Sequence, residues 1–143
     1  MLSVILITLA ADQLSKTFIQ KLMVEGQSMP VIPAVFYLTY IRNPGAAFGL
    51  LPYQKLLFIV ISVAIIALML VVARRIPAHR HFLRTGVGLV TGGAVGNLVD
   101  RLRFGLVVDF LDFRVWPVFN LADAAIVIGA CLLVLEVWRG ELL

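Results

Sequence analysis

The sequence predicts an all-α membrane protein, a bundle of four transmembrane helices with a small extracytoplasmic β-sheet platform between helices 1 and 2. Three observations predict it. The chain is 62% hydrophobic and only 14% charged, whereas soluble domains are nearer half apolar and a quarter charged. Its apolar residues gather into four runs, each close to the ~20 residues that a bilayer crossing needs. Between the first two runs lies a long segment whose β-branched and aromatic content is that of a strand. With no internal repeat or low-complexity stretch, residues 1–143 are expected to form one domain.

The clearest run, 56–73, carries no charge and closes on Arg74-Arg75. Residues 85–102 form a glycine-rich run, and 119–138 are aliphatic after an opening Asn120 and Asp123. The first run, 1–22, is interrupted by Asp12, Lys16 and Lys21. It meets Asp12 and Lys16 rather than a small-residue cleavage site, so it is expected to remain as a span. Asp12 falls about 18 Å along this helix at 1.5 Å per residue, and no basic residue precedes it. Either the helix tilts and thins the bilayer locally, or the native start lies upstream.

The net charge of +4 does not point to nucleic acid, because its distribution is that of a topology signal. Arg74, Arg75, Arg80 and Arg84 share one short loop with His79 and His81, the pattern of a cytoplasmic loop. Four spans then place both termini and this loop in the cytoplasm. Cys131 is the only cysteine, so no internal disulfide can form; mid-helix in an apolar run, it is expected to be a packed thiol.

Segment 24–54 is broken by Pro30 and Pro33, and 35–41 reads as a strand. Asn43-Pro44-Gly45 is a turn signal, and the apolar stretch 46–52 is too short to span, so it is expected to lie at the membrane surface. Tyr37, Tyr40, Tyr53 and Trp116 suit an interfacial aromatic belt. Segment 103–117, punctuated by Asp109 and Asp112, does not read as a helix; it is expected to fold over the outer mouth and carry Asp109 toward Asp123.

This topology collects polar residues that the sequence scatters. Asp12, Lys16, Asn97, Asp100, Arg101, Asn120 and Asp123 all fall toward the outer ends of their spans. Helical spacing also gives them shared faces: Asp12 with Ser15 and Lys16, Asn97 with Asp100 and Arg101, and Asn120 with Asp123. The pairs Asp12–Lys16 and Asn97–Arg101 can satisfy one another inside a bundle, hold catalytic groups in place, or do both. Gly88, Gly92 and Gly96, four apart, are expected to let helix backbones approach closely. Gly93 lies one turn below Asn97 on the polar face.

A charge at the bilayer centre costs at least ~2.5–3.5 kcal/mol on insertion scales, so Asp109 and Asp123 read as functional. The histidines belong to the opposite end, which removes a Ser–His or Cys–His nucleophile and leaves the outer face without zinc ligands. What remains is carboxylate chemistry, with one acid holding a proton while its neighbour activates water. Intramembrane acids also mark proton and ion paths, so a small proton-coupled transporter or channel subunit remains an alternative at this point, as does a non-catalytic scaffold. The acids cluster at one end rather than stepping across the bilayer.

Five stretches in order carry a resemblance. Asp12-Gln13-Leu14-Ser15-Lys16, Arg42-Asn43-Pro44-Gly45-Ala46-Ala47-Phe48, Gly92-Gly93-Ala94-Val95-Gly96-Asn97-Leu98-Val99-Asp100-Arg101, Val107-Val108-Asp109-Phe110 and Phe119-Asn120-Leu121-Ala122-Asp123 resemble the motif set of lipoprotein signal peptidase, the bacterial aspartic protease family signal peptidase II. The resemblance covers essentially the whole chain. It implies that Asp109 and Asp123 are the catalytic pair. Asn97, Asp100, Arg101, Asn120 and Ala122 match positions around them, and Asp12, Lys16, Asn43, Gly45 and Gly93 match supporting motifs. It further implies a prolipoprotein substrate cleaved just before a diacylglyceryl-modified lipobox cysteine, with the lipid chains left in the membrane. Inhibition by globomycin-type peptides, no metal or cofactor, and a multi-pass place in the bacterial cytoplasmic membrane with the site toward the outer face are also implied. One departure is Pro44, where the family often has threonine or another residue; the turn is expected to be stiffer and intact.

Overall fold

The computed structural model describes residues 1–45 and 54–138. These form α1 (Leu2–Leu22), β1 (Ser28–Ile32), β2 (Phe36–Asn43), α2 (Lys55–Ala73), α3 (His81–Phe104), β3 (Val107–Asp112) and α4 (Leu121–Trp138). The four expected runs are all helical, and α3 begins four residues before its apolar run does. The stretch 46–52, expected to lie at the membrane surface, and Tyr53 fall outside the described residues.

Three of these helices, α1, α2 and α4, are long and apolar enough to cross a membrane. Their apolar side chains face outward, Leu6, Phe18, Val60, Leu68, Ile128 and Val134 among them. Buried positions instead include Asp12, Lys16, Asn97, Asp100, Asp109 and Asn120. This reversal of the soluble pattern fits a molecule whose solvent is hydrocarbon.

Helix α3 is the hub, packed against each of the other three. Being wrapped by protein, it need not be apolar. Its stripe of Gly88, Gly92 and Gly96 faces α1: a Cβ added there would meet Val4, Thr8 with the Ile5 carbonyl, and the Asp12 carboxylate respectively. Gly93 and Gly86 instead face α4, where added Cβ atoms would run into the carbonyl oxygens of Ala122 and Gly129. Small residues thus bring backbones together where hydrophobic drive is lacking. The helix ends at Gly105, whose φ of +77° suits a left-handed cap, its N–H bonding the Arg101 carbonyl at 3.0 Å.

The sheet has three antiparallel strands in the order β1-β2-β3. The expectation of a sheet between helices 1 and 2 holds for β1 and β2, and is corrected for β3, which comes from the α3–α4 connection, within the stretch expected only to fold back. Val107–Asp112 has its acids three apart rather than in strand alternation, so the sequence does not announce a strand there. Tyr40 is also corrected. It is 3% exposed, packed with Ile19, Met23, Val108 and Phe110, with its hydroxyl accepting from Arg42 Nε at 3.0 Å, so it belongs to the joint between α1 and the sheet. Cys131 is exposed rather than packed, because α4 turns its other face to α3.

Gly93→Ala should force α4 away beside Asp123, costing about 1–3 kcal/mol as overpacking does. At Gly88 the nearest atom to an added Cβ is the Val4 Cβ at 2.9 Å, a milder overlap than that with the Ala122 carbonyl at Gly93, so Gly88→Ala should cost less. Thermal melting of the two variants in detergent checks the order; equal losses would mean that the α3–α4 approach is not the tight one.

Candidate active site

Lys16 organises the interior. It is 2% exposed; its ammonium donates to Asp12 Oδ2 at 2.8 Å and Asn97 Oδ1 at 3.0 Å and forms an ion pair with Asp100 Oδ2 at 2.9 Å. Two hydrogen bonds and two carboxylate neighbours thus compensate the buried charge. Asp12 spends its other oxygen on the Ala122 N–H at 3.1 Å, fixing the start of α4. Asp100 also accepts from the Val108 N–H at 3.2 Å, fixing the start of β3. Gln13 joins these groups, donating to Asp100 Oδ1 at 2.9 Å and to the Gly96 carbonyl at 3.2 Å.

Asp109 is held in β3 opposite Ile41 of β2 and is 1% exposed. Its oxygens accept from Asn43 Nδ2 at 2.8 Å and Asn120 Nδ2 at 2.7 Å. Asn43 is itself fixed by the turn: its Oδ1 accepts from the Gly45 N–H at 2.9 Å, and Gly45 has φ of +97°, a conformation that favours glycine. Burial, and then the adjacent charge of Asp123, push the Asp109 carboxyl up to about 7, against the hydrogen bonds from Asn43 and Asn120.

Asp123 lies in the first turn of α4. Asn120 Oδ1 accepts from the Asp123 N–H at 2.9 Å, and the Asp123 carboxylate accepts from the Asn120 N–H at 3.3 Å. This reciprocal pair is a capping box built from Asn and Asp. Asn97 Nδ2 donates to Asp123 Oδ1 at 2.7 Å. The direction of that amide is settled by its other end, since Asn97 Oδ1 accepts from both Lys16 and Asn120. Asn120 therefore touches both aspartates, one through its side-chain amide and the other through its cap.

Both aspartates line one cavity of about 240 Å³ with Asn43, Gly45, Phe58, Arg101 and residues 116–119. A second cavity, about 460 Å³ and apolar, runs from Asp123 along Ala124, Val127 and Ile128, walled by Phe113, Trp116 and Phe119. It is the larger, but the titratable chemistry belongs to the smaller one, where both acids meet. Among the described residues no three His, Cys, Asp or Glu side chains are grouped as a metal would require.

The structure thus brings Asn43, Gly45, Arg101, Asp109 and Asp123 to one cavity, with Asn97 and Asn120 directly behind them. Asp12, Lys16, Asp100, Gly93 and Ala122 form the next layer. One pairing that helical spacing allowed does not form. Asn97 does not pair with Arg101, because its amide is taken by Lys16, Asn120 and Asp123. Asp100 takes Lys16 as its cation, while the Arg101 guanidinium lies over the Phe58 ring at 5.1 Å. Ser15 turns back to the Asp12 carbonyl at 2.8 Å. Asp112 stays apart, bonded to Thr39 and Arg114. Gln13 and Phe58 were missed: Gln13 is adjacent to Asp12 rather than a turn away, and Phe58 sits in an apolar run without a polar marker.

Comparison with known proteins agrees with this geometry. The profile of the family described as Signal peptidase (SPase) II matches residues 4–139. A lipoprotein signal peptidase of Pelotomaculum thermopropionicum is 61% identical over 130 residues, covering 91% of this chain and 86% of the relative. That of Halothermothrix orenii is 49% identical over 138 residues, covering 96% and 94%. A bacterial membrane enzyme solved by the in meso method at 2.3 Å superposes with a TM-score of 0.89 at 31% identity, covering 95% of this chain and 85% of that one. With a helical bundle, a three-stranded sheet and a family profile spanning nearly all of its length, the chain belongs to the signal peptidase II family.

Proposed function

We propose that the chain is a membrane-embedded aspartic endopeptidase that removes the signal peptide from diacylglyceryl-modified prolipoproteins, cleaving just before the lipidated cysteine. The observation that carries the chemistry is the pair Asp109 and Asp123, joined by Asn120 and lining one cavity. Family membership carries the substrate class. The transporter and scaffold alternatives find no support among the relatives.

Asp109, the more buried acid, holds the proton. Asp123 opens further onto the cavity, beside Arg101 and at a helix N-terminus that complements a negative charge; it is the base. Asp123 takes a proton from water as the oxygen attacks the scissile carbonyl carbon, and Asp109 donates its proton to the carbonyl oxygen. In the collapse of the tetrahedral intermediate the C–N bond breaks and the cysteine amine takes the proton from Asp123. Asp109 recovers its proton from a hydroxyl of the gem-diol, whose oxygen stays on carbon as the carbonyl of the new carboxyl group, and both aspartates return to their starting states. The apolar groove along α4 suits a substrate whose reacting bond lies next to lipid.

In this reading α3 is the fourth span, both termini and the Arg-rich loop face the cytoplasm, and the sheet and cavity lie on the outer side. Globomycin-type peptides would compete for the cavity.

Asp109→Asn and Asp123→Asn should each reduce cleavage of a diacylglyceryl-modified prolipoprotein by at least ~10²–10⁴-fold without lowering the melting temperature appreciably. Substantial turnover by either purified variant would refute the dyad.

Because Asp109 works protonated and titrates near 7, kcat/KM should be intact below that pH and fall as pH rises through it. The Asn43 amide stabilises the ionised form of Asp109. Asn43→Ala should therefore move this fall to higher pH while reducing the rate; movement to lower pH would reverse the assignment of acid and base.

Orientation is tested in a Cys131→Ala background. A cysteine replacing Gln27 should react with an impermeant thiol reagent in intact cells, and one replacing Ala78 only after the cytoplasmic side is opened. The reverse pattern would place the carboxylates on the wrong side for a secreted precursor.

A further inference from the structure

We propose that Phe58 is a positioning residue for the peptidase reaction, its ring holding the Arg101 guanidinium in place beside the aspartate pair. The inference rests on the dyad reading above. Helix α2 packs chiefly against α3, and Ser62 is its one buried residue among those described. The Ser62 hydroxyl donates to the Phe58 carbonyl at 2.8 Å. An outlying helix of this kind has little reason to reach a catalytic cavity. Yet Phe58 lines the same cavity as Asp109, Asp123 and Arg101.

Two contacts define what the ring does there. The Arg101 Cζ lies 5.1 Å from the ring centroid, within the ~6 Å over which an aromatic face attracts a cation. Among the described residues Arg101 forms no hydrogen bond or ion pair through its side chain, so the ring is the contact that orients it. A guanidinium held by an aromatic contact can keep its in-plane N–H donors available. The ring also presses against Gly45, where any Cβ would overlap it. That turn holds Asn43, which donates to Asp109. One side chain from α2 therefore braces Arg101 and also the turn behind Asp109.

The test is a double-mutant cycle on the full-length protein in detergent, with a diacylglyceryl-modified prolipoprotein as substrate. Phe58→Leu keeps an apolar side chain but removes the π face, and should lower kcat/KM by roughly 3- to 30-fold. The acidic limb of its pH–rate profile should move to higher pH, as in Arg101→Ala, because the dyad loses a fixed positive neighbour. In the Arg101→Ala background the same Phe58→Leu change should cost less than about twofold, the non-additivity that coupled groups show. Phe58→Tyr, which keeps the ring, should restore most of the rate and the wild-type profile. Equal losses in the two backgrounds, or an unshifted profile with a lowered melting temperature, would make Phe58 a packing residue and overturn the proposal. Asp109→Asn and Asp123→Asn, run alongside, separate this failure from failure of the dyad itself.

Discussion

The buried ammonium of Lys16 is the interaction on which the rest depends. It lies between Asp12 of its own helix and Asp100 of α3, and each carboxylate passes the constraint onward. Asp12 holds the Ala122 N–H, one residue from Asp123. Asp100 holds the Val108 N–H, one residue from Asp109. Asn97, which accepts from the same ammonium, is turned so that its amide nitrogen faces Asp123. Removing one partner from such a cluster leaves an uncompensated buried charge, at ~3–5 kcal/mol. The ion cluster is weak as a source of stability against a hydrophobic alternative, so its value lies in specifying where two carboxylates stand.

That specification needs close helices, and close helices need glycine. At Gly96 the space of a methyl group is occupied by the Asp12 carboxylate, and at Gly93 by the Ala122 carbonyl. The small-residue stripe and the ion cluster are thus one device: the first removes side chains so that the second can reach across three helices. The packing reading of Gly88, Gly92 and Gly96 and the active-site reading of Lys16 do not compete.

The helices were legible because lipid imposes a length and an outward apolar face, which makes α2 and α4 plain in sequence. Helix α3 was legible by its glycines and shared polar face, although it is less apolar, since protein rather than lipid surrounds it. Strand β3 was not legible. Six residues that take their register from β2 and their anchor from Asp100 announce little by themselves. The convergence of Asp12, Lys16, Asn97, Asp100 and Asn120 could be read from helical spacing and topology together. Who bonds to whom could not: Asp100 has Arg101 beside it in sequence, yet it takes Lys16 from 84 positions away because α1 and α3 touch there. Tyr40 and Cys131 misled for a related reason, since residue type suggests an environment while neighbouring elements decide it.

The acids sit where three solvents meet. Behind them is a hydrogen-bonded protein interior; before them is a small cavity that also holds Asn43 and Arg101; and along α4 an apolar groove begins at Asp123 itself. A soluble protease can let water into an open cleft, but a lipid-facing one must admit it only where the reacting bond lies. Asn43, Asn97 and Asn120 accomplish this without charge, satisfying both carboxylates with neutral donors. A lysine in any of these positions would pin its aspartate in the ionised form, and an aliphatic residue would leave the carboxylate without its donor. Amides leave both acids free to exchange a proton, which is what the proposed hydrolysis by a shared-proton pair demands, while the Lys16 ammonium is kept one residue further back.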